Sequence, residues 1–461
     1  MSGRRRWWVL AALSAGFFLN FLDRGAISVA APFLGRDLHL DKLQLGEVMS
    51  AFFLGFVLLQ FPAGMVADRL GPRLVAAAGM VWWSVFTAVT GLATGFGQLF
   101  SVRFLFGLGE GLYPPSSLKA LAQWFPHRER ATANGLMLSA DRAGFAVAPL
   151  VGVLVIAAWG WRPLFWLLGL PGLVAAAWIY WTQRGMPAPP RRDWRWRDVG
   201  RLLALPAVWY LAAMWFFFYL AFWGISSWLP TYLYRDLHAT VFKMGVGASI
   251  PFAAAVLGML LGGVLSDRWA AGRRKRTIVP ALVLAAACLT AGVLAHSLWL
   301  TVGLFALGMF CHATVSSGFY AAPADLLPPQ VVGGALGLVN ALGMLSGVVA
   351  PTLFGWVVQR TGSYADGFWP LVASLGVAAI LMGIVPEGRA IRGLSWPVLV
   401  PDGFGGQVAW PELPAGYLLR RRPQDAGLPA DGCVPDRLAP GPARWPHWPE
   451  DGPQDRGGGE G

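Results

Sequence analysis

Twelve stretches of this chain run for about twenty or more residues with few charges among them. They lie near 7–34, 44–67, 74–93, 96–121, 131–157 and 163–182, then near 204–230, 244–266, 277–295, 298–323, 333–358 and 367–386. About 20 apolar residues in a helix cross the hydrocarbon of a bilayer, and the pattern predicts an all-α membrane protein of 12 transmembrane helices. Charged residues are 13% of the chain, against about 25% in soluble domains, which excludes a water-soluble globule. Several stretches exceed the minimum, and prolines at 32, 62, 114, 115, 149, 230, 251, 323 and 351 fall in or at the ends of them. Tilted and kinked helices are therefore expected.

The net charge of +12 raises the question of a nucleic-acid partner. The cations instead flank the apolar stretches on one side. With the N-terminus in the cytoplasm, Arg4–Arg6, Arg69/Arg73, Arg128/Arg130, the stretch from Arg184 to Arg201 and Arg268 to Arg276 fall inside. The outer loops hold only Arg36/Lys42, Arg162 and Arg235/Lys243. That bias predicts both termini cytoplasmic in a cell (inner) membrane, with lipid as the partner and no nucleic acid. The start resembles a signal peptide, but no small-residue cleavage site follows and the helix continues through Asp23 and Arg24, so it reads as an uncleaved first span. Cys288, Cys311 and Cys433 form neither a disulfide framework nor a metal spacing. No metal, phosphate loop or nucleophile triad is read here, so neither a cofactor nor an enzyme activity is expected.

A repeat divides the chain. Gly64-x-x-x-Asp68-Arg69-x-Gly71-x-Arg73 follows the second span, and Gly263-x-x-x-Asp267-Arg268, with Gly272-Arg273 beyond, follows the eighth, 199 residues later. The expected organisation is an N-terminal six-helix bundle (1–182), a cytoplasmic linker (183–203), a C-terminal six-helix bundle (204–388) and a disordered cytoplasmic tail (389–461) rich in Pro, Gly, Arg and Asp.

A charge at the bilayer centre costs at least about 2.5–3.5 kcal/mol, so such residues pair or function. Asp23, Arg24, Arg103, Glu110, Asp141, Arg142 and Asp325 are the clear cases. Arg103 and Glu110 are seven apart and share a helix face, while Asp23 and Arg24 point about 100° apart. Rise per residue places Arg24 and Arg103 at comparable depth, with Glu110 two turns further in. The planar fork of Arg24 fits a substrate carboxylate. Asp23, Arg103 and Glu110 are candidates for proton coupling, and the alternative is a structural network of mutual neutralisation. Asp141 either meets substrate or pairs with Arg142, which reads as structural or gating. Asp325 reads as a helix-end charge, Lys119 as a snorkelling cation and His312 as a packed histidine. Asn340, the one amide within the spans of the second half, is a candidate substrate contact.

The repeated loop resembles the signature of the major facilitator superfamily. The resemblance implies two pseudo-symmetric six-helix bundles around a midplane site. It also implies gating by Gly64, Asp68, Arg69, Arg73, Asp267 and Arg268, where the glycine allows close helix approach. A narrower likeness covers spans one to eleven. Asn20-Phe21-Leu22-Asp23-Arg24, Arg103 with Glu110, Trp124-Phe125-Pro126, Trp228-Leu229-Pro230-Thr231-Tyr232-Leu233 and Asn340 with Ala350-Pro351-Thr352 resemble, in order, motifs of the anion:cation symporter family. That likeness implies uptake of an organic anion such as a sugar acid, coupled to protons, by a monomer. It places Ser317 and Tyr320 near substrate-contacting positions. Two departures stand out: Phe21 replaces a usual Tyr, and Asp141 in Leu138-Ser139-Ala140-Asp141-Arg142-Ala143-Gly144 replaces a neutral polar residue that contacts substrate in sugar-acid relatives.

Two rivals remain. Gly144-x-x-x-Ala148-Pro149-x-x-Gly152 loosely resembles the span-five motif of drug:proton antiporters, although two midplane arginines suit anions better than cationic drugs. The other rival is a non-transporting sensor that keeps the transporter fold.

Overall fold

The computed structural model describes residues 3–185, 200, 202–203, 206–269, 275–326 and 329–384, and for 3, 61, 127–128, 131, 206–207, 263–269, 317–326 and 329–335 the description covers the backbone alone. The expected linker lies largely, and the expected tail wholly, outside the described residues. The first half consists of α1 (Gly3–Asp37), α2 (Lys42–Leu70), α3 (Pro72–Thr90), α4 (Phe96–Gly111), α5 (Tyr113–Trp124), α6 (His127–Trp159) and α7 (Trp161–Thr182). The second half consists of α8 (Pro206–Arg235), α9 (Val241–Trp269), α10 (Lys275–Leu294), α11 (Leu298–Leu326), α12 (Pro329–Thr361) and α13 (Trp369–Ile384). Eleven helices among the described residues are long and apolar enough to cross a membrane.

The remaining expected span, 96–121, is divided. α4 ends at Gly111 and α5 begins at Tyr113. The cause is local: Pro114 and Pro115 lack the N–H groups that would continue the ladder into α4, and their rings crowd the preceding turn. Leu112 keeps helical angles (φ −74°, ψ −26°), so the two pieces run on as a kinked span.

Packing repeats between the halves. α1 lies on α6, α2 on α4 and α3 on α7; correspondingly α8 lies on α12, α9 on α11 and α10 on α13. Across the halves α2 meets α12 and α6 meets α9, again a related pair. Contact between α2 and α4 is backbone on backbone: a Cβ on Gly107 would collide with the Phe52 carbonyl. This closeness brings the α4 face carrying Arg103 and Glu110 against the α2 face carrying Phe52 and Phe56.

A second repeat marks the helix ends opposite the Asp68 loop. Arg36-Asp37-Leu38-His39 ends α1, and Arg235-Asp236-Leu237-His238 ends α8, at the same spacing of 199 residues. His39 and His238 both adopt the left-handed region, with φ 53° and 49°. Both turns stop a helix without the usual glycine, so they carry no Gly or Pro signal in the sequence. Asp41 then caps α2 through a reciprocal box with Gln44 (2.8 and 3.1 Å).

At this end the halves are joined. Lys42 N–H donates to Gln359 Oε1 at 3.1 Å, Thr352 Oγ1 to Ser50 Oγ at 2.8 Å and Arg235 Nη2 to the Pro32 carbonyl at 3.1 Å. Gly46 sits directly on the Pro351 carbonyl, leaving no space for a side chain.

Candidate functional site

Three helices, α1, α4 and α6, carry the described intramembrane charges. Arg24 from α1 donates through Nε to Glu110 Oε2 of α4 at 2.7 Å, and both side chains are buried. The Arg24 guanidinium also lies 4.7 Å from the Phe21 ring, 4.8 Å from Phe52, 4.6 Å from Phe56 and 5.7 Å from Trp223. A desolvated cation in such an aromatic cage gains on the order of 2 kcal/mol from ring contacts. The cage also excludes the water that would weaken its ion pair.

Asp23, the neighbour of Arg24, faces another way. Its Oδ2 accepts from Thr87 Oγ1 of α3 at 3.3 Å. Arg103 is 1% exposed and stacks over Phe106 at 4.3 Å and Phe52 at 5.4 Å. Among the described residues its Nε makes no hydrogen bond, nor do Asp23 Oδ1, Glu110 Oε1 and the side-chain polar atoms of Asn20, although Trp83 lies close to Asp23 and Asn20 to Glu110.

Sequence spacing puts Arg24 level with Arg103 and Glu110 two turns deeper, and the long Arg24 side chain reaches Glu110. Asp141 of α6 is 8% exposed and lies 3.4 Å from Arg142 Nε, while the Arg142 guanidinium rests 4.9 Å from the Phe222 ring. Asn340 is half-buried in α12. The side chains of Ser317, Tyr320, Asp325, Asp267 and Arg268 lie outside the described residues.

A cavity of about 20 Å³ lies beside Arg24 and Arg103, walled by Phe53, Phe145, Trp223 and Ser227 among others. It has room for about one water molecule. A multi-carbon ligand enters only if the halves separate, because α1, α2, α4 and α6 supply one wall and α8 the other.

In the Asp68 loop, Lys119 replaces the expected snorkelling with a latch. Its Nζ pairs with Asp68 Oδ1 at 2.6 Å and donates to the Gly64 carbonyl, tying α5 to the end of α2. The expectation that Gly64 permits close helix approach is not met: a Cβ there would meet only Lys119 Nζ, at 3.8 Å. Arg73 stacks 3.9 Å over the Tyr180 ring, and Arg69 is exposed. His312 is buried, stacked 4.0 Å from the Phe218 ring, with Nε2 3.0 Å from the Phe218 carbonyl.

Thr87, the aromatic cage and the Ser226/Ser227 pair were not legible as site residues. Hydroxyl and aromatic residues are common throughout such spans. Only the 52/56 spacing, one turn apart, hinted that two rings share a face.

Comparison with known proteins agrees with this architecture. The family model described as Major Facilitator Superfamily matches residues 13–270 and 216–395. The chain is 30% identical to a hexuronate transporter of Bacillus subtilis, over 79% of this chain and 90% of the relative. It is also 30% identical to a probable sulfoacetate transporter of Cupriavidus necator, over 82% and 93%. Among solved structures, a bacterial homologue of the human lysosomal transporter Spinster, inward-facing and occupied, superposes with TM-score 0.73 at 22% identity, covering 83% of this chain and 97% of that one. With its helix order, its repeated halves and a matching model over most of its length, the chain belongs to the Major Facilitator Superfamily, a family of membrane transporters.

Proposed function

We propose that this protein carries a small organic anion, a sugar acid or similar hydroxylated carboxylate, across the membrane together with protons. The carrying observation is the Arg24–Glu110 pair, buried at 2.7 Å inside an aromatic cage. A guanidinium so placed is a two-point receptor for a carboxylate, but Glu110 occupies it. A proton on Glu110 would release Arg24 to the incoming anion, which couples the two fluxes. The relatives named for hexuronate, sulfoacetate and galactarate/D-glucarate are all named for anions, which supports this reading over cationic drug efflux. The intact buried charge cluster favours transport over a sensor.

In this reading Arg24, Asn340, Asp141, Ser317 and Tyr320 contact substrate, and Asp23, Arg103 and Glu110 couple it to protons. Residues 1–182 and 204–388 rock as two bodies about the 183–203 linker. Gly64, Asp68, Arg69 and Arg73, with Asp267 and Arg268, gate the side on which the termini lie, which the arginine bias makes cytoplasmic. A monomer in the cell (inner) membrane suffices for this cycle.

The test is reconstitution in vesicles with an imposed inward proton gradient and a panel of labelled carboxylates. Accumulation of a carboxylate that collapses with an uncoupler and is lost in Arg24→Ala is expected. No accumulation of any anion, with every measured flux unchanged in Arg24→Ala, would refute the proposal.

A further inference from the structure

A groove of about 530 Å³ runs along the seam between α2 and α12, with Phe100 of α4 as a third wall. It lies toward the end of the molecule opposite the Asp68 loop and shares no residue with the cavity beside Arg24. Its volume falls in the range of small-ligand sites, about 300–1,000 Å³. The lining positions 43, 47, 51 and 54 on α2, and 349, 353 and 356 on α12, recur at three and four residues. Each helix therefore offers one continuous face. Leu54, Val349 and Trp356 are exposed, so the groove opens sideways onto the surface that a membrane-spanning bundle turns to lipid.

The two ends of the groove differ in chemistry. Lys42 begins α2 and Thr361 ends α12, and the Lys42–Gln359 hydrogen bond sets those ends side by side. Glu47 and Trp356 each lie about 7 Å inside them at the helical rise. Arg360 follows one turn after Trp356, with its guanidinium 4.5 Å from the Trp356 ring. A tryptophan and charges so near the helix ends mark the headgroup level of a bilayer. Neither Glu47 nor Arg360 has an ion-pair partner among the described residues. Further in, Leu54, Phe100, Val348, Val349 and Leu353 supply only apolar side chains, and the Ser50 and Thr352 hydroxyls are taken up by each other at 2.8 Å.

An open acid and an open cation at the mouth of an apolar slot complement a zwitterionic head on an acyl chain. The chain alone gives little selectivity, because lipid tails meet apolar surface everywhere in the bilayer. Selectivity comes from the head. A primary ammonium has three N–H donors for the Glu47 carboxylate, a quaternary ammonium has none, and a head of net negative charge is repelled by it.

We propose that this groove is a site for an ethanolamine phospholipid of the surrounding bilayer. Its ammonium sits on Glu47, its phosphate on Arg360, and one acyl chain lies along Leu54, Phe100 and Val349. The lipid touches α2, α4 and α12 at once and so braces the two halves where they meet. The inference does not depend on which substrate the central site carries.

The test uses the full-length protein in phosphatidylcholine vesicles holding a trace of phosphatidylethanolamine with a photoactivatable diazirine on its acyl chain. Irradiation followed by peptide mapping should find label concentrated on Leu54, Phe100, Val349 and Leu353. Unlabelled phosphatidylethanolamine should compete about fivefold better than phosphatidylglycerol or added phosphatidylcholine, a ratio between that of an exposed ion pair and a buried charged hydrogen bond. Glu47→Gln should erase the difference and Glu47→Asp should keep it. Val349→Trp fills the slot without touching the head site and should drive the label out of the groove, which carries the test if the Glu47 variants are not monodisperse. Label spread evenly over the spans or gathered elsewhere overturns the proposal. So does equal competition by the three lipids, a preference unmoved by Glu47→Gln, or label that persists in the groove of Val349→Trp.

Discussion

Replacing Glu110 by glutamine separates the two jobs that the buried pair performs. The side chain keeps its size and one oxygen for Arg24, but its charge is gone, as if a proton were permanently bound. Charge centres about 4 Å apart attract by about 4 kcal/mol at an effective dielectric of 20. A neutral amide acceptor retains about 1.5 kcal/mol of that. Competition for Arg24 thus weakens by about 2.5 kcal/mol, which converts to anion binding tighter on the order of fiftyfold at alkaline pH. Equilibrium binding of a labelled carboxylate to purified protein, measured against pH, reads this directly. Wild type should bind more weakly as pH rises and Glu110→Gln should be flat. In vesicles the variant should exchange anion for anion but fail to accumulate it against a gradient. Binding that is unchanged or weaker in the variant at every pH, with gradient-driven uptake retained, would refute the competition between Glu110 and substrate.

Other outcomes follow from the same geometry. Arg24→Lys keeps the charge but loses the planar fork, so carboxylate affinity should fall by about tenfold or more in the same binding assay. Thr87→Val strips Asp23 of its hydroxyl donor, and a loss of about 1–3 kcal/mol should show as a lower melting temperature in detergent. Gly46→Val drives a side chain into the Pro351 carbonyl, so a cysteine at Ser50 should label faster with a membrane-impermeant maleimide than in the Gly46 background. Asp236, outside the spans at the end of α8, has its carboxyl pushed up by burial, with Asp366 adding to the effect and the backbone N–H groups of Ala365 and Tyr364 opposing it. A raised folded-state value means stability that is complete at acid pH and lost as pH rises through it. Asp236→Asn should therefore melt higher than wild type near neutral pH, and the gain should vanish toward pH 4.

Burial cost explains which parts of this molecule could be read without coordinates. Charged residues in apolar spans are so expensive that their mere presence marks Asp23, Arg24, Arg103 and Glu110, and the repeated Asp68 loop marks the halves. Pairing was harder, because it depends on how closely two helices approach. Gly107 sets the distance between α4 and α2, nothing local distinguishes it from the many other glycines, and Arg24 meets Glu110 from a third helix, α1. Lys119 reads as a cation seeking the interface, and in the fold it pairs with Asp68 at the end of α2. The turns at His39 and His238 escaped notice because helix ends are usually sought by glycine, although the repeated Arg-Asp-Leu-His would have exposed them.

Among the described side chains the halves share a fold but not a chemistry. All six members of the central charge cluster sit on α1, α4 and α6, and the second half answers, among its described side chains, with Trp223, Ser226 and Ser227. Trp223 is 4.6 Å from Phe53 and 6.5 Å from Phe145, so it is the point where the second half closes over Arg24. One cation–π contact and two aromatic pairs together hold about 2–3 kcal/mol, and these contacts exist only while the halves are together. Trp223→Ala should therefore leave carboxylate affinity within about threefold, because Arg24 and Glu110 are intact, yet slow exchange by tenfold or more through a poorly populated closed state. Binding measured beside counterflow on one preparation distinguishes the two effects. Affinity lost in proportion to rate would make Trp223 a substrate contact and remove the case for a charged half closed by an uncharged one.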